Sequence, residues 1–225
     1  MSTATVAARS AFDAAALDTI LSGTAGPAWA SDLRRTALER LTALGLPDRR
    51  DENWMRTDLR LFKPQAWGPR PAPASATLPP EGLLASAILS RDLAAESYAD
   101  FEAGGAAVGP GRLAGRFASL DGHVVRCELD AALAARGVVF GAADELLAAH
   151  GAALRPHWFQ VIDPSCDWFA AMHAAFHAAS AVLYVPPGVR IADPLHVVAG
   201  ISDGGVDTSH VLVVLCEGAE ATVLT

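Results

Sequence analysis

Beyond Ser180 the sequence breaks into short β-rich segments: Val182-Leu183-Tyr184-Val185, Val189-Arg190-Ile191, Leu195-His196-Val197-Val198, Val211 to Leu215 and Thr222-Val223-Leu224. Each is too short for a stable helix and is rich in β-branched or aliphatic residues. Between them stand turn formers, Pro186-Pro187-Gly188, Ala192-Asp193-Pro194, Asp203-Gly204-Gly205 and Glu217-Gly218-Ala219. Strands this short and this closely spaced pair across many turns, as in a sandwich, a barrel or the opening coils of a β-solenoid. The last segment runs flush to Thr225 with no helix to cover its edge. That pattern reads as a chain cut within its sheet, because natural domains hide unpaired strand edges.

Upstream, the pattern is mixed. Residues 5 to 44 read as helical, most clearly where Ser31 can cap and Leu33, Ala37, Leu38, Leu41 and Leu44 share a face, with Gly45 and Pro47 as the stop. Residues 63 to 80 hold six of the 14 prolines, which marks a linker or extended segment. Asp121-Gly122 between two apolar segments is a two-residue hairpin signature. A short helix over Asp130 to Arg136, a strand at Val138-Val139-Phe140 and a helix from Ala142 to His150 follow. Asp163-Pro164 has the form of a cap opening a helix to about Ser180, with Phe169, Met172 and Phe176 on its apolar face. The expected organisation is therefore α+β: a helical region over 1–62, a Pro-rich linker over 63–80, an α+β region over 81–163, and a helix with the first β-coils over 164–225.

Composition narrows the function. With 52% hydrophobic and 19% charged residues the chain has the apolar surface to fold, and a length of 225 residues allows one large domain or two small ones. A net charge of -8 gives no electrostatic footprint for nucleic acid. Lys63 is the only lysine, in Leu61-Phe62-Lys63-Pro64, so a P-loop is excluded and Schiff-base chemistry has no suitable amine. Three scattered cysteines without a CxxC fit a reducing compartment. The N-terminus lacks the basic start and apolar run of a signal peptide, and the longest apolar run, Val211 to Cys216, is far short of a membrane span. A cytoplasmic protein without membrane or nucleic-acid partners is expected.

Few residues carry candidate chemistry. His173 and His177 lie four apart on one helix, with Cys166 just upstream, a spacing that can share a metal. His210 and Cys216 share strand parity and offer a second pair for a soft metal or an iron-sulfur cluster. The ordinary reading of all five is structural or solvated histidine and small buried cysteine. Gly200-Ile201-Ser202-Asp203-Gly204 matches the G-x-S-x-G of serine hydrolases. Its context is a turn between strands rather than a strand-to-helix elbow, so Ser202 is a minor alternative to a metal-binding module. Gly109-Pro110-Gly111-Arg112-Leu113-Ala114-Gly115 has one residue too many for a dinucleotide fingerprint and reads as a turn. No catalytic or cofactor-binding residue is assigned.

Leu46-Pro47-Asp48-Arg49-Arg50-Asp51-Glu52-Asn53-Trp54-Met55-Arg56-Thr57-Asp58-Leu59 resembles the N-terminal signature of the SufB/SufD family of iron-sulfur cluster assembly proteins, two basic residues followed by Glu-x-Trp-x-x-Thr-x-Leu. Similar matches run through Trp168 to Phe176, Ala181 to Val189, Pro194 to Val197, His210 to Val214 and Glu217 to Val223. Arg-Arg-Asp-Glu-Asn-Trp and the low cysteine count are closer to SufD than to SufB. The resemblance implies a helical N-terminal region leading into a right-handed parallel β-helix, of which this chain would hold roughly the N-terminal half. It also implies a non-catalytic scaffold subunit acting with a SufB-like scaffold and a SufC-like ABC ATPase. Iron or an iron-sulfur cluster would pass through the assembled complex rather than reside on this chain.

Overall fold

The computed structural model describes residues 12–24, 26–69, 113–201 and 205–225. The first residues of the expected helical start, residues 70–80 of the linker, the stretch 81–112 and Ser202 lie outside them. Two helices open the fold, α1 (Ala14–Gly23) and α2 (Ala28–Leu44), followed by turns through residues 49–61 and one 3-10 turn at Pro64–Ala66. Then come β1 (Gly115–Leu120), β2 (His123–Leu129), α3 (Ala131–Ala135), β3 (Val139–Ala142), α4 (Ala143–Leu154) and α5 (Trp168–Phe176). Strands β4 (Ala181–Val185), β5 (Leu195–Gly200), β6 (Val211–Leu215) and β7 (Val223–Leu224) complete the described chain.

Local chemistry sets most of these boundaries. Asp13 caps α1 by accepting from the Ala16 amide at 3.0 Å, and Asp130 caps α3 by accepting from Ala132 at 2.7 Å. Asp121 and Gly122 take φ of 49° and 79°, the paired positive values of a tight hairpin turn. Helix α2 ends at Gly45, φ 65°, but it begins three residues before Ser31, directly after Pro27. Its buried face is Ala30, Arg34, Ala37 and Leu41; of the expected face Ala37 and Leu41 are buried, Leu33 and Leu38 pack partly buried against the core, and Leu44 is 47% exposed. The two alanines let α2 lie close against α5.

The helix expected from Pro164 starts four residues later. Asp163 instead accepts from both the amide and the hydroxyl of Ser165, at 2.8 Å each, and closes a separate turn. Asp167 then caps α5 through the Ala170 amide at 2.8 Å. The helix also stops early, at Phe176, because His177 turns to an extended ψ of 137° and Ala179 takes φ of 46°.

The strands form two sheets, β2-β1-β5-β7 and β3-β4-β6. In the second, β4 runs parallel to β6, with Ala181 beside Val211, an offset of 30 residues. In the first, β5 runs parallel to β7, with Leu195 beside Val223, an offset of 28 (195 to 223). The corner between strands stacks too. Gly188 donates to the Glu217 carbonyl, Glu220 to Val189 and Ile191 to Glu220, and Arg190 bridges Glu220 in parallel. One β-corner-β unit thus lies on the next with its backbone bonds continued around the bend. On the other side, antiparallel β3 pairs with β4, and β1 pairs in parallel with β5 and antiparallel with β2.

Strand alternation divides the core. Ala181, Leu183 and Val185 face inward with Phe117, Phe140, Ile191, Leu195 and Val197, between the sheets. Val182 and Leu212 face outward and join Leu147, Leu154, Trp158, Trp168 and Phe176 beneath the helices. Gly115 is tightly packed within its sheet and against the other: a Cβ there would stand 2.8 Å from Leu195 Cδ2, 2.9 Å from the Glu128 carbonyl and 3.0 Å from Phe140 Cδ1. A Gly115→Ala variant is therefore expected to lose about 1–3 kcal/mol by overpacking, read as a lower denaturation midpoint. A loss under about 0.5 kcal/mol would show that β1 can slide away from β5.

Candidate functional site

The C-terminal end of α5, the turn into β4 and the residues before β6 meet at one place, where three of the five candidate ligands gather. His173 sits in the last turn of α5, His177 just beyond its end, and His210 one residue before β6. Around them stand Trp158 and Phe159, both buried. Phe159 holds φ at 52°, unusual for a bulky residue. In that conformation its ring stacks on His210, with centroids 4.3 Å apart and planes at 16°, and lies 5.4 Å from His173 and 5.2 Å from His177. Trp158 meets His210 and His177 edge-on at 4.9 and 5.4 Å. Its buried Nε1 has no hydrogen-bond partner among the described residues.

Arg34 reaches this cluster from α2. It is 3% exposed, and Nη1 donates to the carbonyls of Ala175 at 3.1 Å and His177 at 2.8 Å. Nη2 lies 3.2 Å from His177 Nδ1. A guanidinium only donates, so Nδ1 is an acceptor and the His177 proton sits on Nε2. The Ser180 hydroxyl, 3.1 Å from the same Nδ1, accepts from the His210 amide at 3.2 Å. Burial lowers the Arg34 pKa to about 10, opposed by the charge of Asp144, so it stays cationic at neutral pH. Burial, and then the neighbouring charge of Arg34, holds His177 well below the ordinary histidine range.

The other two histidines are half-buried. The His173 Nε2–H donates to the Ser209 carbonyl at 3.1 Å. Desolvation lowers its pKa, while that bond and Asp207 work the other way. Desolvation, with His173 adding to it, brings His210 down to about 4. All three rings are neutral near pH 7.

Neither cysteine candidate joins them. Cys166 is exposed in the turn before α5, its amide bonded to the Asp163 carbonyl. Cys216 follows β6, its amide bonded to Val185 and its thiol beside the Tyr184 hydroxyl. Among the described residues no three His, Cys, Asp or Glu side chains converge as a metal-binding group. The pairing of His177 with Arg34 was invisible to spacing alone, since 143 residues separate them. The only local signal was an arginine at the heptad distance from Leu41, flanked by Ala30 and Ala37, on a face with room for its length.

The turns that carry the 46–59 motif rest on this same helix. Trp54 stacks on Phe169 at 4.9 Å, and Phe62 meets Phe169 and Trp168 at 5.5 and 6.2 Å. Arg60 holds Asp58 through Nε and Nη2, an exposed pair. The motif thus places one tryptophan on α5 and leaves its charges in solvent. Among the described residues no helix is long and apolar enough to cross a membrane.

Two consequences are measurable. Histidines in the unfolded chain bind protons below about pH 6.5, whereas the native rings resist them, so protons favour unfolding. Stability is full above about pH 6.5 and falls as the pH drops toward 4, by at most about 1.4 kcal/mol per pH unit for each ring, less for half-exposed His173 and His210. Thermal midpoints unchanged between pH 7 and 5 would contradict this. Replacing Arg34 with Ala leaves two buried carbonyls without a donor and opens a cavity, a loss of about 2–4 kcal/mol. Chemical denaturation reads it, and Arg34→Ala at wild-type stability would show that α2 does not clamp α5.

No family model matches the chain. It is 36% identical over 83 residues to the iron-sulfur cluster assembly protein SufB of Bacillus subtilis (strain 168). The aligned stretch is 37% of this chain and 18% of SufB. This similarity supports a relationship to the SufB/SufD family and points to iron-sulfur cluster assembly.

Proposed function

We propose that the chain is a non-catalytic, SufD-like scaffold subunit of an iron-sulfur cluster assembly complex in the cytoplasm, acting with a SufB-like scaffold and a SufC-like ATPase. The observation that carries this reading is the 83-residue similarity to SufB. Because it covers only 18% of that protein, the activity and partners of the whole are part of the proposal rather than properties of the match. The fold is compatible with it. Parallel stacking of β6 on β4 and β7 on β5 supports reading residues 181–225 as the opening coils of a right-handed parallel β-helix. Such a scaffold works by presenting faces to other chains, and iron or the cluster is its cargo.

The test is native co-purification through a tag on this chain in its source cell. A SufB-like protein and an ABC-type ATPase recovered in about equal amounts with it is the expected result. Recovery of the chain without either, under conditions that retain other stable complexes, would overturn the assignment.

A further inference from the structure

An open cleft of about 400 Å³ lies beside β6, lined by His157, Phe159, Ile162, His173, His210 and Val213, among others. His173 and His210 stand with their ring centroids 5.5 Å apart and their planes tilted by 54°. We propose that these two imidazoles form a binding site for a divalent first-row transition metal such as Zn²⁺ or Co²⁺, with the remaining coordination positions open to the cleft.

The geometry fits. A metal about 2.0–2.1 Å from one nitrogen of each of two imidazoles sits roughly 3 Å from each ring centre, which places the centroids about 5–6 Å apart. The Nε2–H of His173 is fixed on the Ser209 carbonyl, leaving the lone pair of Nδ1 for a metal. Ligating histidines are commonly oriented by such a bond from the other nitrogen. Among the described residues neither ring nitrogen of His210 is hydrogen-bonded, while Phe159 fixes the ring plane from below. His177, the partner that sequence spacing suggested for His173, is excluded from the pair because its Nδ1 faces the Arg34 guanidinium. Two nitrogen donors without a carboxylate favour zinc, cobalt, nickel or copper over magnesium or calcium. His157 stands in the lining of the same cleft and is exposed.

The site does not depend on the assembly reading, since a chain that recruits no partner can still be titrated with metal. The experiment titrates the untagged full chain with Co²⁺ at pH 7.5, following ligand-field absorption, and displaces it with Zn²⁺. One equivalent is expected, with affinity lowered at least about tenfold in His173→Ala and in His210→Ala and unchanged in His150→Ala. No saturable binding by the wild type, or undiminished binding by both variants, overturns the proposal. Should either variant unfold, zinc-edge X-ray absorption on the wild type decides instead. Scattering from two imidazoles supports the site, and a shell without imidazole overturns it.

Discussion

A single buried guanidinium joins the helical and the β portions of this fold. Arg34 takes the carbonyls of Ala175 and His177 at the point where α5 must end. Those carbonyls would otherwise be orphaned, since the last turn of any helix leaves acceptors unpaired. Here the donor comes from a different helix, so terminating α5 and docking α2 are one event. The turn that follows, with Ala179 at positive φ, then delivers Ser180 to the Nδ1 of His177 and the amide of His210. Strands β4 and β6 therefore start at heights fixed by the same small network.

This network explains what could and could not be read in the sequence. Turn chemistry was legible because its causes are local: the hairpin at Asp121-Gly122, the stop at Gly45 and the short helix beside Asp130 each depend on residues within a few positions. Four of the five expected short strands were legible, Val189-Arg190-Ile191 being instead a corner with a single bridge at Arg190, but their partners were not, because parallel pairing joins residues 28 to 30 apart. The start of α5 was misplaced because Asp163 and Asp167 are equally good caps in isolation. Only the bonds from Ser165 to Asp163 separate a turn from a helix start. The buried face of α2 was legible only in part: Ala37 and Leu41 lie on it, but Arg34 does not stand out in the sequence. Leu33, Leu38 and Leu44 outrank Arg34 on any hydrophobic scale, yet the long arginine reaches acceptors that no leucine can satisfy.

The histidines show how far spacing alone carries a site. His173 and His177 are neighbours on a helix, but the helix ends between them, and their environments diverge. One ring opens toward a cleft; the other is sealed against a cation. His210 enters the cluster through the strand pairing, not through any motif. A chemical pair was thus created by β6 lying parallel to β4, which brings the residue before β6 against the end of α5.

The two margins of the stacked strands differ in a way that gives the architecture a direction. On one margin β1 lies along β5 and β3 along β4, and antiparallel partners cover the backbone where the parallel stack starts. On the other margin, among the described residues, β6 and β7 carry no further strand. Val211, Val213 and Leu215 share the inward parity of Ala181, Leu183 and Val185, yet they remain 40%, 42% and 46% exposed, while Leu212 on the outward face is 8% exposed. A strand is thus better buried on its helix side than on its core side, the reverse of an ordinary sandwich edge. The inward side chains of β6 lie at the edge of their sheet, with no further strand beside them among the described residues. The helices supply the cover on the outward face. This division allows α5, β4 and β6 to hold the histidine cluster together regardless of what rests on the exposed face.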